Sequence, residues 1–159
     1  MSDLTIFLIL FILPIFLIFS IAFIASRSRK KKQNALLDNV PKNASMKVIL
    51  RYNFGQSQDK FIKMKAFQGS GVLYVLDNQV HFITTKNQAD NFTFDLKNVQ
   101  LNWIGVNLAN GLLEWFQIKN NNLDYYFNVE TGMFIFHLSS TKMKTKDVFM
   151  NLKEAQKRI

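Results

Sequence analysis

The sequence predicts a mainly-β domain closed by one C-terminal helix, carried behind a single N-terminal transmembrane α-helix. Three patterns predict it. An apolar run without charge extends from Leu4 to Ala25 and is followed at once by Arg27, Arg29, Lys30, Lys31 and Lys32. Beyond it, apolar residues recur at every second position in short segments separated by turn residues, the period of half-buried strands. From about Thr145 the period lengthens to that of an amphipathic helix. The chain divides accordingly into a transmembrane helix at 4–25, a basic juxtamembrane linker at 26–45 and a cytoplasmic domain at 46–159.

The apolar run comes first. Of its 22 residues, 17 are Leu, Ile or Phe. Each contributes about −0.3 to −0.6 kcal/mol to insertion at a helix centre, which outweighs Thr5, Pro14 and Ser20. At about 1.5 Å per residue the run is roughly 33 Å long, enough for a hydrocarbon core of about 30 Å. Pro14 is tolerated in a membrane helix and marks at most a kink. Only Asp3 and the amino terminus precede the run. Positive charge stays inside, so the amino terminus is expected outside and residues 27–159 in the cytoplasm. The rival reading is a cleaved secretory signal, with Ser20-Ile21-Ala22 as a small-x-small site. Against it, the charges follow the run instead of preceding it, and the run exceeds a signal's usual about 7–15 apolar residues.

The linker is basic, then polar. Leu36, Leu37 and Val40 can prolong a juxtamembrane helix that Pro41 stops. Val48 to Tyr52 alternates weakly, and Phe61 to Phe67 is a second strand candidate with Lys63 and Lys65 on one side. The clearest local signal is a hairpin at Asp77-Asn78. Val72, Tyr74 and Leu76 share a face before it, and Val80 and Phe82 share one after it. Both turn residues tolerate the positive φ of a type I′ turn. Phe92, Phe94 and Leu96 form a short strand, and Val99, Leu101 and Trp103 the next. Gly105 to Gly111 reads as a loop. Leu113 to Lys119 and Leu123 to Val129 flank Asn120-Asn121-Asn122. Thr131-Gly132 is a further turn, and Met133 to Leu138 a last strand.

In the closing helix, Val148, Phe149, Leu152, Ala155, Gln156 and Ile159 trace one side. Thr145 is the expected N-cap, Asp147 suits the positive helix end, and Lys157 and Arg158 suit the negative one.

Strands first and one helix last is the order of the PH-like superfold, a bent antiparallel sheet forming an open barrel with a helix plugging one end. Gly69 to Phe82 (Gly69-Ser70-Gly71-Val72-Leu73-Tyr74-Val75-Leu76-Asp77-Asn78-Gln79-Val80-His81-Phe82) resembles the hairpin of GRAM and bacterial PH-like domains. Phe94-Asp95-Leu96-Lys97-Asn98-Val99 resembles the following strand, and Thr145 to Ala155 the closing helix. The resemblance covers about 46–158. It implies binding of anionic lipid headgroups, peptides or protein surfaces. Lipid-binding members use basic residues between the first two strands, and Lys60, Lys63 and Lys65 are the nearest candidates here.

Charge sharpens the candidates. The formal net charge is +9. Residues 1–32 hold five basic residues and Asp3, while the remainder holds 15 basic and 10 acidic residues, so the excess is densest beside the membrane. The cluster at Arg27, Arg29, Lys30, Lys31 and Lys32 orients the helix. It can also hold the following segment on an anionic leaflet, at about 1 kcal/mol per cation. No basic stripe interleaved with aromatics occurs, and no nucleic-acid partner is expected.

Catalytic and metal chemistry lack their residues. Without cysteine there is no disulfide, thiolate nucleophile or Cys-based metal site. His81 and His137 are isolated strand residues, and no metal-ligand spacing appears. Carboxylates are scattered, and Gly69-Ser70-Gly71 is too short to cradle phosphate alone. No cofactor, metal or enzymatic activity is expected. Trp103, Trp115, Tyr125 and Tyr126 are assigned mainly to the core, with Trp103, Phe116 and Tyr126 the aromatics to inspect for an exposed patch. The expected function is a membrane-anchored binding or scaffold module for lipid headgroups or a protein. The alternative is a structural accessory subunit of a membrane complex.

Overall fold

The computed structural model describes residues 3–55, 67–106, 113–129 and 143–159. Helix α1 spans Asp3–Asp38 without a break at Pro14. The segment expected as a linker is therefore helical as far as Asp38, and Pro41 follows the helix end. Among the described residues α1 is the one helix long and apolar enough to cross a membrane. Its apolar side chains from Leu10 to Ile24 are exposed, Phe16 to 70%. Such a surface is stable in lipid and costly in water.

The strands are β1 (Met46–Phe54), β2 (Gly69–Leu76), β3 (Gln79–Thr84), β4 (Phe92–Asp95), β5 (Gln100–Gly105), β6 (Trp115–Asn120) and β7 (Leu123–Val129). Among the described residues they form one seven-stranded antiparallel sheet in the order β4-β3-β2-β1-β7-β6-β5. The sheet is open, with β4 and β5 at its edges. Helix α2 (Thr145–Lys157) packs against β5, β6 and β7.

Alternation places the core. Val48, Leu50 and Tyr52 of β1, Leu73 and Val75 of β2, Val80 and Phe82 of β3, and Phe116, Ile118, Phe127 and Val129 meet Val148, Phe149 and Leu152 of α2. Leu96 lies in a 3-10 turn (Leu96–Asn98) and not in the strand expected for it, yet its side chain is fully buried in this core. Gln156 fixes that turn to α2 by donating to the carbonyls of Leu96 (2.6 Å) and Val99 (2.8 Å).

The weak alternation of β1 has a cause. Its outer face is covered as well: Ile49 and Val72 pack with Val40, Leu36, Leu37, Ala44 and Tyr74 beneath the end of α1. A strand buried on both faces reads as a continuous apolar run.

Turn chemistry follows the sequence closely. Asp77 and Asn78 have φ 49° and 63°, both left-handed, and join β2 to β3 in two residues. The tract of three Asn closes tighter than expected, since Asn120 pairs with Leu123 and only Asn121-Asn122 turns. Gly71 is required by close approach: a methyl there would overlap the Ile83 carbonyl and the Phe82 ring.

Other expectations are corrected. Lys144, not Thr145, is the α2 N-cap. Thr145 is buried because its hydroxyl accepts from the Val129 amide at 3.1 Å, joining α2 to β7. Asp147 does serve the helix start, accepting from the Lys144 amide at 2.8 Å. Phe116 and Tyr126 are buried, whereas Trp103 is 37% exposed at edge strand β5 and touches Phe149. The strand expected at Met133 to Leu138, residues 61–66 of the Phe61–Phe67 candidate, and His137 lie outside the described residues.

Candidate anion-binding cleft

Where α1 leaves its apolar run, its next turns lie against the sheet. Ser26, Gln33 and Val40 are buried at intervals of seven residues, with Lys30 and Leu37 half-buried between them. Two helical turns separate such positions, so they form one stripe facing the protein. The stripe brings the adjacent side chains of α1 over the start of β2.

A cleft of about 530 Å³ lies between them, lined by Ala25, Ser28, Arg29 and Lys32 of α1, Arg51 of β1, the segment Phe67–Ser70, and Thr85 and Lys86 after β3. Four cations from three parts of the chain thus share one cavity. No carboxylate lines it among the described residues.

Each cation is placed by a definable device. Arg51 stands on the outer face of β1 opposite Ser70. Its guanidinium lies 4.5 Å from the centre of the Phe67 ring, which stacks on Trp115 at 5.4 Å. Stacking on an aromatic face restrains a planar cation. Gln68 closes the end of β1: its amide group donates to the Phe54 carbonyl (3.2 Å), and its side-chain oxygen accepts from the Phe54 amide (3.0 Å).

Thr85 is held beside Ser70 through its amide and hydroxyl, both donating to the Ser70 carbonyl at 2.9 Å. The two hydroxyl oxygens are 3.3 Å apart. The connection that follows is locked as well. Thr84 donates to the Asn87 carbonyl (2.8 Å), Asn91 accepts from the Thr84 amide (2.8 Å), and Asp90 accepts the Tyr52 hydroxyl proton at 2.6 Å. Burial first, and the Asp90 carboxylate second, hold the Tyr52 phenol far above its ordinary pKa. Lys86 therefore extends from a well-fixed turn.

A cavity lined by four cations suits a phosphate or another oxyanion. Arg supplies paired donors and Lys a point charge, while the Thr85 hydroxyl proton is already held by the Ser70 carbonyl.

The basic cluster divides in this geometry. Arg29 and Lys32 line the cleft, Lys30 is half-buried against the protein, and Arg27 and Lys31 are exposed away from the cleft. Lys60, Lys63 and Lys65 lie outside the described residues. Arg51, Ser70, Thr85 and Lys86 were not singled out as site residues from the sequence. The available signal was a lone arginine at an outward position within an apolar strand. The remaining partners depend on sheet register.

His81 takes no part in the cleft. Its ring stacks on Tyr74 at 4.7 Å, and Nδ1 lies 2.9 Å from the Thr93 hydroxyl. Burial lowers its pKa, opposed by the Leu76 backbone and Asp77. Among the described residues no three His, Asp or Glu side chains form a metal-binding group. Comparison with protein-family models, curated proteins and solved structures finds no match to the chain.

Proposed function

We propose that this chain is a single-pass membrane protein whose PH-like module binds the phosphate of an anionic lipid headgroup in the cleft between α1 and the sheet. One observation carries the reading: Arg29, Lys32, Arg51 and Lys86 converge at the level where the apolar run of α1 ends. From Ala25 to Lys32 the helix rises about 10 Å. The headgroup layer on each side of a bilayer is about 5–8 Å deep. A cleft at this height meets headgroups without the protein having to bend. The PH-like assignment is supported by the strand order, the single open sheet and the C-terminal helix packed on β5–β7. By the excess of cations after the apolar run of α1, the module faces the cytoplasm.

Tethering makes weak recognition effective. The anchor holds the cleft at high local headgroup concentration, so a modest site remains occupied. The test uses the full chain, because α1 supplies one wall. In nanodiscs of neutral lipid doped with an anionic lipid, native mass spectrometry of the released protein should recover the anionic lipid preferentially, with recovery falling as salt rises. Equal recovery of both lipids would exclude the reading. Titration with inorganic phosphate separates a general oxyanion site from a lipid site: competition with the retained lipid is expected.

A second reading, an accessory subunit of a membrane complex, has its own support. Trp103, Val106 and Met150 are exposed apolar side chains at β5 and α2. Recovery of a stoichiometric partner on mild solubilisation, lost on Trp103→Ser, would favour it.

A further inference from the structure

The path of α1 fixes which end of the sheet faces the bilayer. Near its apolar run α1 meets Gly69 and Ser70, and near its end it meets Val72 and Tyr74. Helix and strand therefore run side by side.

The sheet carries this alignment to other strands. Gly69 pairs with Tyr52, which pairs with Phe127. Leu123 lies four residues farther along β7, toward the membrane, or about 13 Å. Two inter-strand rotations of about 20–25° each shorten that to about 9 Å. Val40, two residues past the end of α1, packs with Val72. Gly69 stands about 10 Å above Val72, which is the rise of roughly seven helical residues and brings it level with Gln33. A further 9–13 Å is about six to nine residues and reaches Ile24 to Arg27. That is where the apolar run gives way to charge.

The β6–β7 turn is thus level with the edge of the hydrocarbon core. Its composition suits that position. Leu123 is 59% exposed, Asn121 and Asn122 are exposed beside it, and Lys119 stands at its base. Two of the described carboxylates at this end are engaged or partly buried. Asp90 holds the Tyr52 hydroxyl, and one oxygen of Asp124 is buried while its backbone carbonyl accepts from Gly55 at 2.8 Å.

We propose that the β6–β7 turn is a second membrane contact, with Leu123 seated in the interface of the bilayer that α1 crosses. The inference rests on α1 as the span, but not on occupancy of the cleft. An apolar tip flanked by neutral amides and a cation enters the headgroup boundary at low cost.

The absence of cysteine makes the test direct. Single variants Leu123→Cys, Ala25→Cys, Phe16→Cys and Gln79→Cys of the full chain, labelled with an environment-sensitive fluorophore, are reconstituted in nanodiscs containing lipids with a nitroxide near the headgroup or mid-chain. Gln79 is exposed at the opposite end of the sheet. Quenching of the Leu123 probe by the headgroup nitroxide, as strong as that at Ala25, with the Gln79 probe unaffected, is the expected result. An unquenched Leu123 probe beside a Phe16 probe quenched by the mid-chain nitroxide overturns the contact and leaves the anchor standing. Equal quenching at Leu123 and Gln79 also overturns it. An unquenched Phe16 probe overturns anchor and contact together. Repeating the measurement in neutral lipid separates this contact from the cleft, since the Leu123 signal should persist there.

Discussion

Arg51 shows how much one side chain can decide. It occupies the outer face of a strand whose inner residues Val48, Leu50 and Tyr52 are buried, and Phe67 stacks beneath its guanidinium. A charged hydrogen bond to phosphate contributes about 1.5–3 kcal/mol. Arg51→Gln should therefore weaken anionic-lipid retention by roughly ten- to a hundredfold. Lys86→Gln, at an exposed position, should weaken retention while changing stability by less than about 0.5 kcal/mol. Lipid titrations with parallel urea unfolding of each variant measure both effects. Gly71 poses the opposite test. A methyl there collides with backbone and a buried ring, so Gly71→Ala should destabilise by about 1–3 kcal/mol, read as a lower urea midpoint.

His81 supplies a pH dependence at the same scale. Its folded pKa lies below the ordinary value because burial disfavours the charged ring. The unfolded chain then binds more protons in that interval, so stability rises with pH. The contribution is present above about 6.5 and is lost as pH falls through the interval below it. Thermal unfolding between pH 5 and 8 should show this slope, and His81→Gln should flatten it.

Among the elements, α1 and α2 hold the sheet from opposite sides by different chemistry. The dock of α1 mixes apolar contact at Val40 and Leu37 with the buried polar residues Ser26 and Gln33. That of α2 is an apolar face reinforced by Thr145 and Gln156. Leu152 is fully buried, so Leu152→Ala should cost about 2–5 kcal/mol, measured by chemical unfolding. These docks also separate what was legible from what was not. The hairpin at Asp77-Asn78 was readable because its turn chemistry is local. The period of α2 was readable because one helical face repeats within four residues. The helical character of 26–38 was obscured by its run of cations, whose like charges weaken an isolated helix. Packing on Ile49 and Val72 holds it in place.

At the scale of the whole molecule, α1 and the sheet are parts of one structure. Removing residues 1–43 would uncover Ile49, Val72 and Tyr74 on the outer face. The fragment 44–159 should therefore self-associate and bind anionic vesicles more weakly than its net charge would give. Size-exclusion chromatography and vesicle flotation would measure the two effects. A fragment that stays monomeric and binds as tightly as the full chain would count against a site built partly from α1.

The apolar run from Leu4, the turn residues and the two hydrophobic periods follow from neighbours within a few positions. These alone determined a long apolar N-terminal helix, a β-rich body and a closing helix. The meeting of Arg29, Lys32, Arg51 and Lys86 required the tertiary structure. Those residues lie on separate elements, and only sheet register and the path of α1 bring them together. The apolar helix is written in local hydrophobicity. The cleft is a product of long-range pairing, and composition identified only the two of its four cations that belong to α1 itself.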